Sequence, residues 1–80
     1  MNYQNLIVPA FRYALGRRSY IVFDITNWIK TNVNEICYRD KLLMIKEINE
    51  ADERNGLGMK CDKELWLETK TVLENSLKEE

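Results

Sequence analysis

The sequence predicts an all-α fold: a small bundle of three main helices plus a short N-terminal helix, completed by oligomerisation. Three observations predict it. Apolar residues recur at helical spacing through three long stretches, Ile21 to Val33, Leu42 to Ala51 and Leu65 to Leu77. Residues that start or stop helices stand between them: Pro9, Gly16, Ser19, Asn55-Gly56 and Asp62. The chain is 80 residues long with no repeat and no linker, so residues 1–80 make a single helical domain. A core this thin is marginal, and self-association is one remedy.

The first element is set by Pro9, which suits the first turn of a helix and is costly deeper inside one. A helix therefore runs from Pro9 toward Leu15, after a turn or short helix beginning near Asn2. Phe11, Ala14 and Leu15 sit at helical spacing, and Gly16 closes the element.

The second starts near Ser19, a cap-forming residue. Ile21, Ile25, Trp28, Ile29 and Val33 follow the spacing of one helical face. A strand at Tyr20-Ile21-Val22-Phe23 is the rival, since β-branched and aromatic residues favour strands. Helix is preferred because the pattern continues for more than three turns.

The third runs from about Tyr38 to Arg54, with Leu42, Ile45 and Ile48 as a stripe widened by Leu43 and Ala51. Asn55-Gly56-Leu57-Gly58 ends it. The fourth begins at Asp62 as N-cap, with Glu64 favourably placed in the first turn. Leu65, Trp66, Thr69, Val72, Leu73 and Leu77 form its apolar side, and the tail Lys78-Glu79-Glu80 frays. Trp28 and Trp66 are expected in the core or a subunit interface. Met44 and Met59 are expected to fill gaps, and Cys37 and Cys61 to be small packed thiols.

Composition narrows the function. There is no histidine, hence no commonest general base and no commonest metal ligand. Two isolated cysteines do not make a zinc site, and no P-loop, G-x-G-x-x-G or G-x-S-x-G occurs. Glu47, Glu50 and Glu53 share a helical face that reads as solvated. Catalysis is therefore not expected, and neither a cofactor nor a metal is implied. Apolar runs such as Ile21-Val22-Phe23 are far short of a membrane span. Two cysteines without a leader-like N-terminus read as reduced thiols in a cytoplasmic setting. Residues 1–39 hold five basic and two acidic side chains; residues 40–80 hold seven basic and eleven acidic. A basic first half and an acidic second half suit self-complementary assembly or an anionic ligand. An isoelectric point near 5.5, with no basic helix face, speaks against DNA.

The most unusual stretch is Phe11-Arg12-Tyr13-Ala14-Leu15-Gly16-Arg17-Arg18-Ser19-Tyr20. One helix ends and another begins inside it, flanked by three arginines, two tyrosines and a hydroxyl. Guanidinium forks match phosphate oxygens. Free amides at a helix N-terminus favour anions, and tyrosine rings stack on nucleobases. Read structurally instead, Gly16 stops a helix, the arginines keep a loop soluble and the tyrosines cover the core edge.

The Tyr13-Ala14-Leu15-Gly16-Arg17-Arg18-Ser19-Tyr20 segment resembles a pattern in small phage and prophage proteins. The layout is similar to the phage anti-CBASS cyclic-nucleotide sponge family in this motif, and along the whole chain in size and helical order. The resemblance implies a short helical protein assembled into a compact oligomer, typically a hexamer, in the host cytoplasm. It implies binding of cyclic di- and trinucleotides, which are sequestered without cleavage. The family's base-stacking tyrosine falls on Tyr3, its glycine on Gly16 and its basic residue on Arg17 or Arg18. Ser19 or Tyr20 supplies the neighbouring hydroxyl. A later basic residue, used for trinucleotides, falls on Arg54 or Lys60. The competing expectation is a protein-binding inhibitor or regulator of a host defence complex, with the acidic second half as its contact surface.

Overall fold

The structure, a computed structural model, describes residues 6–15 and 19–78, with side chains from Ile21 onward in the second stretch. Four α-helices follow one another: α1 (Ile7–Ala14), α2 (Ser19–Thr31), α3 (Tyr38–Glu53) and α4 (Lys60–Lys78). A 3-10 turn, Val33–Glu35, links α2 to α3, and the described residues contain no strand. The fold is the expected all-α bundle. Tyr20-Ile21-Val22-Phe23 is helical.

Helix α4 is the centre of the packing. α2 and α3 both lie along it, and α1 packs against α2 and α3. The radius of gyration, 11.4 Å, is that of a folded globule of this length. The core joins Phe11 of α1, Val22 and Ile29 of α2, Met44 and Ile48 of α3, and Trp66 and Leu73 of α4. Phe11 and Trp66 meet edge to face, with ring centroids 5.3 Å apart.

Helix α1 begins two residues before Pro9, which therefore occupies the first turn, where backbone N–H groups have no partner inside the helix. It buries Ile7, Phe11 and Ala14, while Leu15 follows in extended conformation. Gly16 lies outside the described residues.

Helix α2 takes in Ser19, so Ser19 is a residue of the helix and not its cap. The buried face is also rotated from the expected one. Val22, Ile25, Thr26 and Ile29 are buried, whereas Ile21 and Trp28 are half-buried at its margin. Thr26 fits inside because its hydroxyl donates to the Val22 carbonyl of the preceding turn at 2.7 Å. Thr69 does the same toward the Leu65 carbonyl, at 2.8 Å. The helix stops before Val33, where Asn32 donates its side-chain amide to the Trp28 carbonyl at 3.0 Å.

Helix α3 departs from the expected stripe in the same way. Lys41, Met44, Ile48 and Ala51 face inward, and Leu42 is exposed. Its C-terminus carries a Schellman-type closure: the Asn55 N–H donates to Asp52 O at 3.1 Å and the Gly56 N–H to Ala51 O at 2.6 Å. The residue in left-handed conformation is Asn55, with φ 55°, and not Gly56. Leu57 then plugs into the core, and Gly58 turns the chain with φ 89°.

Helix α4 begins at Lys60, so Asp62 is a first-turn residue and not the cap. Its carboxylate still faces the positive end of the helix dipole. Three packing expectations are corrected by exposure. Met59 is 74% exposed on the α3–α4 connection and fills no gap, unlike Met44. Cys37, immediately before α3, and Cys61, in the first turn of α4, are exposed thiols outside any disulfide. Both stand at helix beginnings, on the outer edge of the bundle, where no core reaches them.

Candidate functional site

The expected site residues fall into three groups. Tyr3, Gly16, Arg17 and Arg18 lie outside the described residues. Ser19 and Tyr20 open α2, contributing the backbone of its first turn. Arg12, Arg54 and Lys60 are described and exposed.

Arg12 is in the last turn of α1. A cation there faces the negative end of the helix dipole, a favourable placement. Its Nε–H reaches α3, lying 3.2 Å from both Oε1 and Oε2 of Glu47. The Arg12 side chain is 55% exposed and that of Glu47 27%. Glu47 was expected on a merely solvated face together with Glu50 and Glu53. It instead joins two helices, while Glu50 pairs along α3 with Lys46 and Glu53 is exposed.

Arg54 is the C-cap of α3, and Lys60 is the first residue of α4. They flank one short connection and so occupy one end of the α3–α4 hairpin. Arg54 lies seven residues beyond Glu47, about 10 Å along the helix axis. The described contacts of Arg12 run to Glu47 and not to this connection. The hairpin itself is cross-linked nearby by Lys63 of α4 and Asp52 of α3, at 3.5 Å.

The described surface also contains a shallow groove of about 530 Å³ between α2 and α4. Leu67 and Val72 give it an apolar floor, and Lys30, Glu64, Glu68 and Thr71 its rim. Lys30 reaches Glu68 at 3.7 Å. With two carboxylates on its wall, the groove is electrostatically unsuited to phosphate. The sequence signal for it is faint, since Glu64, Glu68 and Thr71 read as an ordinary solvated face of α4. Among the described residues no cluster of three or more His, Cys, Asp or Glu side chains is placed to hold a metal. No described helix is long and apolar enough to cross a membrane. Comparison with protein-family models, curated proteins and solved structures finds no match to this chain.

Proposed function

We propose that this protein binds and sequesters cyclic di- or trinucleotides as a phage anti-defence protein, without cleaving them. The observation that carries the reading is the junction of α1 and α2. Arg12 projects from the last turn of α1, and the sequence Gly16-Arg17-Arg18 leads directly into α2 at Ser19. Cation, backbone donors and hydroxyl are thus gathered within eight residues of chain, and Tyr20 adds a ring for stacking. Tyr3 supplies a second ring, and Arg54 or Lys60 the later basic contact. The protein acts in the host cytoplasm as a homo-oligomer, a hexamer by the resemblance, with the pocket shared between subunits. An 80-residue monomer has little volume to enclose such a ligand.

Isothermal titration against a panel of cyclic di- and trinucleotides tests the reading, with the ligand recovered afterward. Tight binding and intact ligand are expected, and Arg17→Ala or Arg18→Ala is expected to weaken binding at least tenfold with the helical content unchanged. Heat-free titrations with every member end the reading. Light scattering tests the assembly, where a stable monomer ends the shared-pocket arrangement.

A second reading, a protein-binding inhibitor or regulator of a host defence complex, is favoured by a separate observation. Phe23, Tyr38 and Leu42 are 60%, 57% and 44% exposed. Exposed aromatic and aliphatic side chains of this kind anchor protein interfaces. A stoichiometric host partner in a pull-down, with no response to nucleotides, selects it.

A further inference from the structure

We infer that Glu47 is a positioning residue for Arg12, turning the guanidinium fork outward to grip an anionic oxygen; this deepens the anion-binding reading above and rests on it. A guanidinium has five N–H donors in a rigid plane. Arg12 commits one of them to the protein, since its Nε–H is shared between the two Glu47 oxygens at 3.2 Å each. Arg12 makes no other hydrogen bond or ion pair among the described residues. The four Nη hydrogens remain on a side chain that is 55% exposed. Their end-on edge is one that grips two oxygens of a phosphate at once.

The anchor comes from a different helix, 35 residues along the chain. Glu47 projects from the middle of the 16-residue α3, and its side chain is only 27% exposed. A carboxylate held this way restrains the long arginine side chain before any ligand arrives. Ordering such a side chain in advance removes part of the entropic cost of binding. The charge of Glu47 opposes an anion at the fork, while its acceptance of the Nε–H bond favours one. The positioning role therefore lives in the hydrogen bond and not in the charge.

Glu47→Gln separates the two effects, because the amide oxygen still accepts from Nε–H while the negative charge is gone. Wild type, Arg12→Ala, Glu47→Ala and Glu47→Gln are titrated with the tightest-binding cyclic nucleotide of the panel and with inorganic pyrophosphate. The arginine side-chain NMR signals are followed in parallel. Arg12→Ala is expected to weaken binding by about tenfold or more, and Glu47→Ala by about three- to tenfold, the scale of one lost or loosened contact. Glu47→Gln is expected to bind as tightly as wild type or more tightly. The Arg12 Nε–H signal is expected to be protected in wild type and Glu47→Gln and lost in Glu47→Ala. Unchanged or tighter binding by Glu47→Ala overturns the inference, as does a Glu47→Gln loss equal to that of Glu47→Ala. If wild type ignores every cyclic nucleotide, the proposed function falls separately. Pyrophosphate then decides the positioning role: Arg12 Nη signals that shift in wild type and not in Glu47→Ala support it, and signals that never shift overturn it.

Discussion

Lys41 of α3 donates a 2.6 Å hydrogen bond to the Ser76 hydroxyl of α4, and both side chains are buried, Lys41 at 1% exposure and Ser76 at 7%. An ammonium taken out of water is costly unless its donors are met and its aliphatic stem is packed. The pair therefore fixes the start of α3 against the end of α4. Lys41→Ala removes both stem and donor, and is expected to destabilise the fold by about 2–4 kcal/mol. Lys41→Met keeps the stem volume without the charge, and is expected to cost less than half as much. Ser76→Ala removes one acceptor from the buried ammonium, at about 1–3 kcal/mol. Urea denaturation of the three variants checks the order; a Lys41→Met variant as unstable as Lys41→Ala would contradict it.

The contact between Phe11 and Trp66 holds α1 to the central helix, yet the fully buried indole N–H of Trp66 has no hydrogen-bond partner among the described residues. Phe11→Ala is expected to cost about 3–5 kcal/mol, the usual range for emptying an aromatic core position. Trp66→Phe shortens a larger ring but also deletes an unpaired donor, whose burial costs about 1–3 kcal/mol. Its net cost is expected to be well below that of Phe11→Ala. Thermal unfolding of both variants reads the difference.

The α3–α4 connection depends on two residues at positive φ, Asn55 and Gly58. Asn55→Gly is expected to be neutral or slightly stabilising, because glycine adopts this backbone without strain. Gly58→Ala is expected to lose about 1 kcal/mol or more through backbone strain. A Cβ at Gly58 would meet Asp62 Oδ2 at 3.4 Å, an ordinary contact, so the cost lies in the backbone. Chemical denaturation with unchanged m-values identifies these as native-state effects.

Cys37 and Cys61 both face solvent. A colorimetric thiol reagent is expected to titrate two equivalents in native buffer, equal to the count in denaturant. Fewer than two native equivalents would show that one thiol is covered in solution.

Helix existence was legible because it depends on local spacing, whereas helix phase depends on which polar groups the fold satisfies. Thr26 and Lys41 look like solvent residues, and each enters the core once its polar end finds a partner. The inner faces of α2 and α3 stand one position away from the Ile21 and Leu42 stripes, with Ile25, Ile29, Ile48 and Ala51 kept from the expected faces. The Asn55 turn was legible as a stop, while the identity of the left-handed residue was not, since Asn and Gly share that preference. In the candidate site, Arg12 was legible as a cation beside a helix boundary. Glu47 was not legible as its partner, because the two meet across 35 residues through packing that no local pattern encodes.

Thr26 and Thr69 each spend their hydroxyl on a carbonyl within their own helix, so neither carries any information about its neighbour. Between α2 and α4 the surface pair Lys30–Glu68 contributes little in water, and the close-packed apolar faces that bury Val22, Ile25 and Ile29 set the fit. Between α3 and α4 the buried Lys41–Ser76 bond is a directional contact that ties the start of one helix to the end of the other, while the exposed Asp52–Lys63 pair, like Lys30–Glu68, contributes little in water. One buried polar bond thus specifies how α3 meets α4, where the threonines specify nothing beyond their own helices.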